Sequence, residues 1–174
     1  GKLTMSFPKN VGQVPLYYAA KNTGRPLLEG RWFEKFRSNY LDVDNAPLYP
    51  FGYGMSYTTF EYSPIAISAT EVAAGGSVTA EVTVTNTGKV AGKEVVQMYL
   101  QDVVGSTTRP VRELKGFEKI SLEPGESKVV KFEITPELMS HYNSNLELVA
   151  EPGEFIVSVG ADSRTKNSAS FILK

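Results

Sequence analysis

From residue 78 to the end of the chain, apolar and polar positions take turns. Val78, Ala80, Val82 and Val84 alternate with Thr79, Glu81, Thr83 and Thr85, the period of two expected of a half-buried strand. The same alternation sets Val96, Met98 and Leu100 against Val95, Gln97, Tyr99 and Gln101. It also sets Val130, Phe132 and Ile134 against Val129, Lys131 and Glu133. Phe155, Val157 and Val159 oppose Ile156 and Ser158, and Phe171 and Leu173 supply a last strand. Turn chemistry separates the runs. Glu123-Pro124-Gly125-Glu126 and Glu151-Pro152-Gly153-Glu154 each place Pro and then Gly at the central positions, the type II preference. Asn86-Thr87-Gly88 and Gly75-Gly76 break the chain likewise. Thr135-Pro136-Glu137 predicts a short helix, with a hydroxyl cap, a proline at the first position and an acid in the first turn. Short strands at regular spacing predict an all-β fold, an immunoglobulin-like sandwich.

The first part of the chain reads differently. Residues 1–46 hold no sustained period of either kind. Leu3 to Phe7 and Val14 to Tyr18 are candidate short strands, the second interrupted by Pro15, and Arg31 to Phe36 is a candidate helical turn. This zone lacks the pattern for its own core and is expected to lean on the sandwich or on a second copy. Between the two lies Pro47 to Phe60, with five aromatics, two prolines and two spaced glycines. So much apolar surface does not suit a solvated linker, and the prolines and glycines set particular backbone angles. The run reads as a rigid, packed joint. Its Tyr49, Phe51, Tyr53 and Tyr57 suit packing better than a sugar-stacking platform, which remains the alternative.

Composition narrows the function. A net charge of -1 over 174 residues offers no basic field for nucleic acid. No apolar run is long enough to cross a bilayer. Cysteine is absent, so packing alone must join the two sheets. The chain opens on Gly1 without an initiator methionine, which suggests a piece cut from a longer polypeptide. His141 is the only histidine and reads as a surface or capping residue, since a general base or metal ligand needs partners. Asp42-Val43-Asp44-Asn45 lacks the glycine and terminal glutamate of a calcium loop and reads as a solvated loop. A glycosidase needs two opposed carboxylates, but Glu61, Glu81, Glu94, Glu113, Glu118 and Glu133 lie on or beside strands, where charge marks the solvated face. No catalytic, cofactor-binding or metal-binding residue is assigned.

Four stretches carry a family resemblance across nearly the whole chain. They are Gly12 to Tyr18 with Lys21 to Pro26; Pro50 to Thr58; Val82 to Gly88 with Glu94 to Leu100; and Arg109 to Phe117 with Leu122 to Glu126. In this order and spacing they resemble the C-terminal part of glycoside hydrolase family 3 β-glucosidases of the periplasmic bacterial type, although the family more often has Leu where Met55 stands. The resemblance implies three zones. Residues 1–46 would be the tail of a preceding α/β domain, 47–60 the joint, and 61–174 a fibronectin type III-like sandwich. It also implies that the nucleophilic Asp and the acid/base Glu of the family lie upstream, matching no position here. The expected role is a non-catalytic scaffold, periplasmic or secreted, whose partners are the upstream catalytic domains, with a second copy as the further candidate. Carbohydrate substrate would be met only through the parent. The alternatives are an autonomous carbohydrate-binding module and a cell-surface adhesion sandwich. The polar loop Asp102 to Arg109 is the segment expected to approach an active-site mouth.

Overall fold

The computed structural model describes residues 1–26 and 34–174. In chain order its strands are β1 (Phe60–Tyr62), β2 (Ala66–Ile67), β3 (Glu71–Val72), β4 (Val78–Asn86), β5 (Gly92–Asp102), β6 (Glu113–Leu122) and β7 (Ser127–Ile134). A helical turn, α1 (Pro136–Met139), leads to β8 (His141–Tyr142), β9 (Leu148–Val149), β10 (Gly153–Gly160) and β11 (Ser168–Leu173). One sheet is built on β4. Antiparallel β7 follows one edge of it from Val78 to Thr85, while β1 and β2 share the other edge end to end. The second sheet runs β3-β11-β10-β5-β6 and is antiparallel except where β3 lies parallel to β11. The all-β sandwich expected from the alternation is the fold observed.

The two sheets face each other through the apolar sets that the pattern marks. Val78, Ala80, Val82 and Val84 from one sheet meet Val96, Met98, Leu100, Phe155, Val157, Val159, Phe171 and Leu173 from the other, all buried. Phe155 and Phe171 stack with ring centroids 5.6 Å apart. Each such side chain contributes about 1.5–3 kcal/mol when removed from water, so the core holds without a disulfide.

Several local expectations change. Strand β6 carries no clean alternation because its register slips between Met98 and Tyr99 of β5, where Gly116 and Leu114 are the successive partners and Lys115 bulges out. The turn at Glu123–Glu126 closes as expected, with Gly125 at φ 78° and the Glu126 amide donating to the Glu123 carbonyl at 3.0 Å. The second Pro-Gly pair does not make a type II turn. Gly153 is the first residue of β10, paired with Leu173, and pairing with β11 holds it extended. Helix α1 forms, but the Thr135 hydroxyl makes no cap bond; it binds the Glu137 carboxylate instead and holds that carboxyl below its ordinary range. Leu3 to Phe7 and Val14 to Tyr18 are not strands. Leu3 and Phe7 pair with the joint at single points, through Tyr53 and Tyr49, and Val11–Gln13 forms a 3-10 turn. Half of the candidate turn at Arg31 to Phe36, including Trp32, lies outside the described residues.

Candidate functional site

Two regions of the five-stranded sheet gather polar side chains. The first is the outer face of β5. Gln97 and Tyr99 point away from the core yet are buried, because the N-terminal zone and the joint lie across them, while Glu94, on the same side of the strand as Val96 and Met98, is buried near the start of β5. Lys2 reaches Glu94 at 2.8 Å, and the Tyr62 hydroxyl donates to the same carboxylate at 3.3 Å. Burial, reinforced by the Glu94 charge, pushes the Tyr62 hydroxyl far above its ordinary range. Glu94 is only 5% exposed, so the expectation that it marks a solvated face is corrected; Glu61 and Glu133 do face solvent. The Tyr99 hydroxyl donates to Gln97 Oε1 at 2.6 Å, and Gln97 Nε2 donates to the Gly52 carbonyl at 3.0 Å and to that of Ala161. Phe51 stacks on Tyr18 at 4.0 Å, while the Ser163 amide donates to the Phe51 carbonyl at 2.9 Å.

Half of the joint therefore packs and half does not. Phe51 and Gly52 sit on the sheet, whereas Met55 is 87% exposed and Tyr57 fully exposed. Tyr49 and Tyr53 stack at 5.1 Å and, with Leu3, Phe7 and Met55, line a shallow groove of about 390 Å³. A larger groove of about 1180 Å³ separates Tyr17, Tyr18 and Asp44 of the N-terminal zone from Arg112, Ser158 and Lys166 of the sandwich. The Asp42–Asn45 loop is a clamp rather than a free loop. Asp44 takes both the Lys9 ammonium at 2.7 Å and the Ala46 amide at 2.8 Å, and the Lys9 bond holds its carboxyl below the ordinary range.

The second region is the pole where β5 ends. Asp102 closes β5, Arg109 lies on the following loop, Glu113 opens β6, His141 lies on β8 and Glu151 precedes β10. His141 is 4% exposed, which corrects its expected place at the surface. Its Nδ1 lies 3.8 Å from Asp102 Oδ2 and its Nε2 3.8 Å from Glu151 Oε2. Arg109 binds Glu113 at 2.8 Å and approaches Asp102 to 3.8 Å. Burial raises the Asp102 carboxyl, against the pull of His141 and Arg109. Glu151 is held low by hydrogen bonds from the Ser106 hydroxyl and amide. The lone histidine gave no sequence sign of this, since its partners lie 39 positions before and 10 after it. Among the described residues, no group of three or more His, Cys, Asp or Glu side chains could hold a metal ion.

Two packed sheets, a buried apolar interior and polar poles make this a fibronectin type III-like sandwich with a leading segment bound to one face. Residues 94–163 match the fibronectin type III-like domain. Over 99% of its length the chain is 52% identical to the periplasmic β-glucosidase of Salmonella typhimurium, and over its whole length 46% identical to a putative β-xylosidase of Formosa agariphila. It spans 22% of each, about a fifth of these relatives. The crystal structure of β-glucosidase from Listeria innocua in complex with glucose superposes with a TM-score of 0.93 at 48% identity, covering 99% of this chain and 24% of that one. The chain thus corresponds to one part of these longer glycosidases, the part that carries the fibronectin type III-like domain.

Proposed function

We propose that the chain is a non-catalytic scaffold within a longer family 3 glycosidase, a retaining β-glucosidase by the similarity to its relatives. The observation that carries this reading is the seat on β5. Buried Gln97 holds the Gly52 carbonyl and is itself held by Tyr99, and buried Glu94 on the same strand takes Lys2, so this strand serves to hold a segment and not to bind a substrate. In this reading residues 1–46 are the tail of the preceding α/β domain, 47–60 the joint and 61–174 the sandwich. The upstream catalytic domains are the partner, and the exposed aromatic groove at Phe7, Tyr49 and Tyr53 would continue the contact with them or with a second copy. The parent would act in the periplasm or outside the cell, in keeping with the periplasmic relative and with the absence, among the described residues, of any helix long and apolar enough to cross a membrane.

The assay is turnover of an aryl β-glucoside. The 174 residues alone are expected to give none, whereas a longer polypeptide carrying the upstream sequence hydrolyses it. Turnover by the isolated chain that survives contamination controls overturns the reading. One observation favours a second role: the stacked Tyr49 and Tyr53 rings are partly open to solvent. Saturable quenching of tyrosine fluorescence by cello-oligosaccharides would make the chain a carbohydrate-binding module instead.

A further inference from the structure

We propose that His141 is a proton-operated latch that fastens the segment 103–112 and, through it, the seat of the N-terminal zone. The geometry rests on two carboxylates, one facing each ring nitrogen at 3.8 Å: Asp102 at Nδ1 and Glu151 at Nε2. A neutral imidazole has one donor and one lone pair, so it can serve one carboxylate and must turn its lone pair toward the other. Only the imidazolium can donate to both. Neither ring nitrogen has a hydrogen-bond partner among the described residues, and the side chain is 1% exposed, so water offers little substitute.

Charged groups reach this pole from several elements, while β9 sets the apolar Val149 opposite His141. β5 brings Asp102, the approach to β10 brings Glu151, the loop brings Arg109, and β6 brings Glu113 and Lys115, the last 3.8 Å from Glu113. Counting His141 as neutral, these give three carboxylates against two cations, and protonation of the ring balances them. Both carboxylates that His141 would grip also hold the loop. Asp102 is its first anchor, and Glu151 accepts from the Ser106 amide and hydroxyl. Farther along, the loop carries the N-terminal zone: Val111 donates to the Ala20 carbonyl at 2.9 Å, Pro110 bridges to Lys21, and Arg112 donates to the Ser163 carbonyl beside the joint. Losing the proton from His141 therefore loosens one grip on Asp102 and Glu151, and the effect passes along a continuous backbone to residues 20–21.

The single histidine makes the test clean, because the chain has one imidazole signal. Long-range ¹⁵N correlation of the 174-residue chain follows that ring across pH, alongside the Ser106 and Val111 amides and their hydrogen exchange. Below the ring's midpoint both nitrogens are expected to be protonated. Through the midpoint both amide signals should move, and their exchange should quicken at least several-fold beyond the intrinsic pH effect. H141Q should abolish the shared midpoint at both amides. A ring that titrates while Ser106 and Val111 stay still overturns the latch. So does a Ser106 titration that survives in H141Q, which would report Glu151 acting alone. Where H141Q fails to fold, the wild-type titration still decides, because a Ser106 or Val111 midpoint that differs from the ring's own overturns the latch.

Discussion

Gly125 and Gly153 follow identical Glu-Pro dipeptides but hold opposite backbone states. Gly125 sits at φ 78°, where an added Cβ meets the backbone's own left-handed strain, while Gly153 is paired in β10 with its nearest foreign atom 3.7 Å from a built Cβ. Gly125→Ala is therefore expected to cost about 1–2 kcal/mol. Gly153→Ala should be neutral or stabilising by about 0.5 kcal/mol. Urea unfolding of both variants checks the pair, and equal costs would refute the distinction. Asn86 is a stronger single point. Its fully buried side chain accepts from the Thr58 hydroxyl at 2.6 Å and the Gly88 amide at 3.0 Å, and donates to the Val90 and Leu122 carbonyls. Asn86→Ala strands several of those groups at once, and a loss of about 3 kcal/mol is expected in the same unfolding assay.

At the scale of elements, the joint and the sandwich are separable in energy. Gln97 ties the Gly52 and Ala161 carbonyls to the outer face of β5 but contributes nothing to the inter-sheet core. Gln97→Ala is expected to speed proteolysis within residues 1–46 several-fold while the sandwich still unfolds in one cooperative transition; unchanged cleavage would show that Phe51 and Lys2 suffice to hold the segment. The long strands β4, β5, β7 and β10 were legible because each shows three or four core residues at strict spacing. Strand β6 was not, because its bulge at Lys115 breaks the register and its outer face carries the apolar Phe117 where its inner face carries Gly116 and Glu118. Strands β1, β2 and β3 have two or three residues each, too few to display a period.

For the molecule as a whole, the buried phenols set the alkaline limit of stability. Burial is the first cause that raises both Tyr62 and Tyr99 far above their ordinary value. Their contribution is thus complete below about pH 10, where the unfolded phenols also keep their protons. It is lost as pH rises above that point, at up to about 1.4 kcal/mol per pH unit for each phenol. Tyr62→Phe should flatten the fall in melting temperature above pH 10, and a slope equal to that of the wild type would count against the linkage. Periodicity alone determined which side chains share a face of each long strand, and from that the sandwich and its interior followed. Which outer face is covered was decided only in three dimensions. Glu94 read as solvated because its partners Lys2 and Tyr62 arrive from elsewhere in the chain, the cover over Gln97 and Tyr99 comes from residues 1–60, and His141 read as a surface or capping residue because its carboxylates arrive from other segments. Alternation is a property of neighbours along the chain, whereas burial of a polar group depends on segments that only folding brings together.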